Sequence, residues 1–140
     1  MKKTKIMVFG TFDGLHKGHV DFFKQARKLV KRPLKQFLIV SVARDINVKR
    51  IKGNLPLLNE KERMALIKKY KFADKVVLSG IKNHIPHIRK ERPDIIALGY
   101  DQKAYVKNLK KDLENNGIFV KIVRLKPYRI KVYKNHLLRK

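Results

Sequence analysis

Two histidines three residues apart, His16 and His19, close the run Gly10-Thr11-Phe12-Asp13-Gly14-Leu15-His16-Lys17-Gly18-His19. Imidazoles can donate hydrogen bonds to phosphoryl oxygens, so two on one turn suit the stabilisation of charge building on phosphorus. Three glycines in the same run let the backbone approach a ligand closely. With Asp13 the histidines could instead ligate a metal. The chain has no cysteine, however, and no distant cluster of further ligands is evident in it. Phosphate chemistry fits better.

The elements around the run support that reading. Ile6-Met7-Val8-Phe9 is short, apolar and continuous, which predicts a buried strand over residues 5–9. Val20, Phe23, Ala26, Arg27 and Val30 recur at helical spacing, so a helix begins near Lys17 and runs to about Lys31, where Arg32-Pro33 stops it. The histidines thus sit where a strand feeds a helix N-terminus, whose free N–H groups and dipole favour an anion.

The rest of the chain alternates in the same way. Residues 36–43 read as a second strand, and 44–58 as a loop-like basic segment with Lys49, Arg50, Lys52, Gly53 and Pro56. Asn59 with Glu62 forms a capping-box pattern that opens a helix to about Tyr70, burying Met64 and Ile67. Strands follow at 75–78, 94–98 and 118–123, with helices at 85–91 and 105–115 and a short terminal helix at 133–139. On the helix over 105–115, Val106, Leu109 and Leu113 share a face. This predicts one α/β Rossmann-like domain over residues 1–140, a five-stranded parallel sheet with helices on both faces and the ligand beyond the strand C-termini.

Composition narrows the function. At 140 residues and 44% hydrophobic content the chain suits one globular domain. No stretch reaches membrane-spanning length and Met1-Lys2-Lys3 leads straight into a strand, so a cytoplasmic protein without membrane contact is expected. The 36 Lys+Arg against 11 Asp+Glu give a net charge of +25, which steers anionic substrates and raises nucleic acid as a rival partner. The basic residues are spread along the chain, without an arginine-rich block or an RNA-binding aromatic motif, so nucleic acid is not favoured.

The segment Gly10-Thr11-Phe12-Asp13 with His16-Lys17-Gly18-His19 resembles the nucleotidyltransferases that carry a GTFD segment and an HxGH motif, the cytidylyltransferase-like superfamily. The resemblance implies transfer of a nucleotidyl group from a nucleoside triphosphate to a phosphate-bearing acceptor, releasing pyrophosphate. It makes His16 and His19 catalytic and places Gly10, Thr11, Phe12, Asp13 and Gly18 at the nucleotide. Val42-Ala43-Arg44-Asp45, Asn47-Val48 and Lys52-Gly53 resemble the matching stretch of archaeal FAD synthases, and so does Gly99-Tyr100-Asp101-Gln102. That adds Gly99 and Asp101 to the nucleotide side, and Lys49 and Lys52 as holders of substrate phosphate. Arg63 matches the helix arginine that cytidylyltransferases place on the substrate phosphate; the plainer alternative is an i,i+3 partner for Glu60.

At the end of the chain Asn135 and His136 stand where the superfamily has hydroxyl residues near the β- and γ-phosphates, and the paired cysteines of archaeal FAD synthases are missing. His84 and His87 match no family position and read as surface or helix-side residues. No protein metal ligand is implied, only Mg²⁺ accompanying the triphosphate. The expected partners are ATP or CTP, an acceptor such as FMN or glycerol 3-phosphate, and a second copy of the chain in a homodimer. FMN adenylylation to FAD is the leading reading. A glycerol-3-phosphate cytidylyltransferase and a non-catalytic nucleotide- or RNA-binding protein are the alternatives.

Overall fold

The computed structural model describes residues 3–81, 83–100, 102 and 108–128. Within them the expected strands all fall in one parallel sheet. Strands β1 (Lys3–Gly10), β2 (Lys35–Val42), β3 (Lys75–Leu78), β4 (Ile95–Leu98) and β5 (Lys121–Arg124) lie in the order β3-β2-β1-β4-β5. Between them come α1 (Lys17–Lys28), α2 (Asp45–Lys52), α3 (Glu60–Lys69), α4 (Ile85–Glu91) and α5 (Leu109–Asn115).

Both faces of the sheet are covered, which explains why its central strands are continuous apolar runs. Ile6 and Val8 of β1 pack with Phe23 and Ala26 of α1 and Ile67 of α3. Met7 and Phe9, pointing the other way, pack with Ile88 of α4 and with Leu109 and Leu113 of α5. The chain winds outward from β1 through β2 to β3, then crosses back to β4 and β5. That reversal puts a topological switch point between β1 and β4, and the glycine turn after β1 opens directly onto it.

The structure departs from the expectations in two further places, besides α1 ending at Lys28, C-capped by Leu29, rather than at about Lys31. Part of the segment over 44–58 is helical: α2 covers Asp45–Lys52 and ends on Gly53 in the left-handed conformation, with φ 85°. Its stability comes from a partner distant in sequence. The Asp45 N–H donates to Glu60 Oε1 at 2.9 Å, and the Glu60 N–H donates to Asp45 Oδ2 at 3.1 Å. The N-termini of α2 and α3 therefore cap each other. Strand β5 starts at Lys121 rather than 118 because its pairing partner begins at Ile95, which lies opposite Lys121. The expected helical residues 105–107 and terminal helix 133–139 lie outside the described residues.

Helix α3 opens on the expected capping box, with Glu62 N–H donating to Asn59 Oδ1 at 2.8 Å and Asn59 N–H to Glu62 Oε1 at 3.1 Å. Asn59→Ala removes one half of it and is expected to lower unfolding stability by about 1 kcal/mol in a denaturant titration. An unchanged midpoint would show that the cap contributes nothing.

Candidate active site

Helix α1 begins with two imidazoles in the roles a hydroxyl and a carboxylate usually fill. His16 is the N-cap, and its Nδ1 accepts from the Gly18 N–H at 3.0 Å. His19 reaches back, its Nδ1 accepting from the His16 N–H at 3.3 Å. The caps fix the tautomer. With both Nδ1 atoms acting as acceptors, the proton of each neutral ring sits on Nε2. The rings stack, centroids 3.9 Å apart and planes 27° from parallel. Gly18 allows this, because a Cβ there would lie 2.8 Å from His16 Cε1. The glycine between the histidines is thus required by the ring that folds over it.

His19 is held neutral. Burial pushes its pKa down from 6.5 to about 4; neighbouring His16 adds to the shift, and the Gly14 carbonyl opposes it. Its ring stands edge-on to buried Phe12, centroids 5.4 Å apart. The electrostatics of the helix end point the same way. The first turns of α2 and α3 carry Asp45, and Glu60 with Glu62, whereas α1 has no acidic residue in its first turn. Lys17 stands there instead, unfavourable to the helix dipole alone but favourable to a bound anion. The assembly offers Nε2–H donors and a positive helix end to a phosphoryl group.

The glycine turn is shaped from beneath. Phe12 has φ 55°, a left-handed conformation costly for a bulky residue, and its ring joins the core beside Phe23. Its ring covers Gly10, where a Cβ would come within 2.6 Å of Phe12 Cζ. Any contact of Phe12 with a nucleotide is therefore through its backbone. Both carboxylate oxygens of Asp13 are engaged, accepting from the Leu57 and Leu58 N–H groups at 2.7 and 2.9 Å. The bond from Leu58 is the main reason its pKa is lowered. Asp13 ties the segment before α3 to the turn.

Arg63 requires a correction. Its side chain is fully buried, and each guanidinium nitrogen donates to protein: Nε to Leu58 O at 3.1 Å, Nη1 to Thr11 O at 2.7 Å and Nη2 to Asp45 Oδ1 at 2.6 Å. It is neither a phosphate holder nor a partner of Glu60. It is a clamp that fixes the glycine turn, the start of α2 and the start of α3 to one another. Lys49 and Lys52 remain exposed on α2, and Lys52 is near enough to help depress the Asp13 pKa.

Across the switch point, Gly99 follows β4. Its N–H donates to Gln102 Oε1 at 2.7 Å, while Gln102 Nε2 donates to Phe9 O at 2.7 Å and so ties the ends of β4 and β1 together. Arg124 Nη1 donates to the Gly99, Tyr100 and Gln102 carbonyls at 2.9, 3.3 and 3.1 Å. Nothing in the sequence marks Arg124 for this part, and only the place of Gln102 in the Gly99-Tyr100-Asp101-Gln102 run hints at its own. Asp101, Asn135 and His136 lie outside the described residues. His84 and His87 are the helix-side residues expected rather than surface ones, at the N-cap and in the first turn of α4. Both are half-buried and edge-on to Phe9, with ring centroids 5.4 and 6.3 Å away.

Comparison with known proteins identifies the family and matches the fold. The family model described as cytidylyltransferase-like matches residues 7–136. The FAD synthase of Aciduliprofundum boonei is 42% identical over 124 residues, covering 89% of this chain and 79% of that one. That of Korarchaeum cryptofilum is 43% identical over 121 residues, covering 86% and 80%. A crystal structure titled lipopolysaccharide core biosynthesis protein, from Thermoplasma volcanium, superposes with a TM-score of 0.80 at 37% identity, covering 91% of this chain and 99% of that one.

Two outcomes test the geometry. Arg63→Met leaves the buried face of Asp45 without its cation and is expected to cost about 3 kcal/mol in unfolding stability. An unaltered melting temperature with impaired substrate binding would instead restore Arg63 to a phosphate. For His19, the folded pKa of about 4 lies below the unfolded 6.5, so the unfolded chain takes the proton first. Its contribution to stability is full above about 6.5 and falls away as pH drops toward about 4. His19→Asn should flatten that part of the wild-type stability profile, and identical slopes would contradict the assignment.

Proposed function

Because this chain belongs to the cytidylyltransferase-like family and is a nucleotidyltransferase, we propose that it adenylylates FMN, using ATP, to give FAD and pyrophosphate. The observation that carries the reading is the stacked His16–His19 pair, its Nδ1 atoms bound into the cap of a helix that starts at the switch point. The choice of donor and acceptor is supported by FAD synthase relatives matching most of the chain, and by the basic segment after β2 and the Gly99 turn after β4.

In this mechanism a phosphate oxygen of FMN attacks the α-phosphorus of ATP. The bond from that phosphorus to the bridging oxygen breaks, and pyrophosphate leaves with the electron pair. The nucleophile is already anionic, so no general base is needed. His16 and His19 give Nε2–H bonds to the α-phosphoryl and leaving oxygens, where charge grows in the transition state. A neutral His19 serves here as a donor whose single N–H turns from the Gly14 carbonyl to the phosphoryl oxygen. Lys49 and Lys52 hold acceptor or pyrophosphate oxygens, and Gly99 lets the nucleotide lie close against the end of β4. Arg63 contributes by holding the Thr11 carbonyl, and with it the turn. Among the described residues no group of three His, Cys, Asp or Glu side chains could hold a metal ion. Mg²⁺ bound to the triphosphate would supply charge neutralisation there.

The test is turnover of ATP and FMN with magnesium, following FAD and pyrophosphate. His16→Ala and His19→Ala should each lower kcat about a hundredfold or more while the protein stays folded. Turnover of CTP with glycerol 3-phosphate, and none with FMN, would overturn the acceptor assignment. Unchanged rates in both variants would overturn the mechanism.

A further inference from the structure

The face of the sheet away from α1 holds a polar chain that the reaction as described does not use. Ser41, in β2 opposite Phe9 of β1, is fully buried, and Ser79 just beyond β3 is 5% exposed. Their hydroxyl oxygens are 2.6 Å apart, and Ser41 Oγ lies 2.8 Å from Nε2 of His87 on α4. Burying such a group in an apolar layer is unfavourable unless every member is bonded, so the chain must be kept together as a unit.

The chain leads to α2. Ser79 O accepts from Arg44 Nε at 2.7 Å, and Gly80 O accepts from Asn47 Nδ2 at 3.0 Å. Asn47 Oδ1 in turn accepts from Arg50 Nη2 at 2.9 Å. The intervening turn is tight, since a Cβ on Gly80 would lie 2.7 Å from the Asn83 carbonyl oxygen. The turn after β3 is thus gripped from below by Ser41 and His87 and from the side by α2, the helix bearing Lys49 and Lys52. This side of the sheet, β2 and β3, lies opposite the β4–β5 side across β1.

We infer that Ser41, Ser79 and His87 are positioning residues for the acceptor, setting the turn after β3 and through it the placement of the cationic helix α2. The inference takes the acceptor's phosphate as the one that Lys49 and Lys52 hold, and it rests on the proposed reaction for its substrate, but its structural half does not. His87 touches no reacting atom. It acts through Ser41, Ser79 and Arg44, so its loss should change acceptor binding while leaving the nucleotide and the histidine pair alone.

The experiment compares wild type with His87→Leu, His87→Gln and Ser41→Ala by steady-state kinetics and amide hydrogen exchange. His87→Leu and Ser41→Ala should raise KM for FMN roughly fivefold to tenfold, with KM for ATP and saturated kcat within about twofold. His87→Gln, which can present an amide where Nε2 stood, should recover most of the loss. In His87→Leu, amides of α2 should exchange faster while those of α1 do not change. A parallel rise in both KM values, failure of the glutamine to rescue, or unaltered exchange in α2 would overturn the inference. A wild-type protein that makes no FAD would defeat the proposed reaction and the acceptor role together, and the exchange data would still decide the coupling to α2.

Discussion

The fully buried guanidinium of Arg63 is the constraint on which the site depends. A charge withdrawn from water is tolerated only where its donors are met, and here they meet the glycine turn, the loop before α3 and the carboxylate of Asp45. Asp45 is shared. One oxygen receives Arg63, and the other receives the Glu60 N–H, while Glu60 returns a bond to the Asp45 N–H. Asp13 adds a second tie from the turn to residues 57 and 58. Three segments far apart in sequence become one rigid shelf beside β1, and the histidines stand on it.

That shelf lets side chains serve two purposes at once. In α1 the imidazole Nδ1 atoms satisfy helix-end N–H groups, and the same bonds select the Nε2–H tautomer. Capping and chemistry are one arrangement. This helix start carries no carboxylate, and neither does that of α4, whereas α2 and α3 have them, so its positive end is open to the phosphate that the proposed reaction would place there. The net charge of +25 extends the effect outward, since both proposed substrates are anions and would be drawn to the protein at low salt.

Features encoded locally were legible in the sequence. The strand–turn–helix around His16 and His19, the parallel sheet, and the Asn59–Glu62 cap follow from short-range pattern, and the structure contains them. Features encoded by distant partners were not. Helix α2 is a basic, glycine-terminated stretch whose opening cap lies at Glu60, so it reads as loop in isolation. Nothing near Arg63 announces that the carbonyl of Thr11, 52 positions away, will accept its hydrogen bond. His84 and His87 flank Ile85-Pro86 in a basic stretch, and only the tertiary contacts with Phe9 and Ser41 reveal them as half-buried groups.

The chemistry of this helix end turns on the protonation pattern of two rings. Long-range proton–nitrogen correlation spectra of the ¹⁵N-labelled protein at neutral pH read it directly for His16 and His19. The expected spectrum has His19 neutral, with Nε2 protonated and Nδ1 bare in both rings, and with the Nε2 signals shifting when the nucleotide binds. A proton on Nδ1 of either ring, or a cationic His19, would break the caps as described and contradict the claim that this helix end is built to present neutral donors to a phosphoryl group.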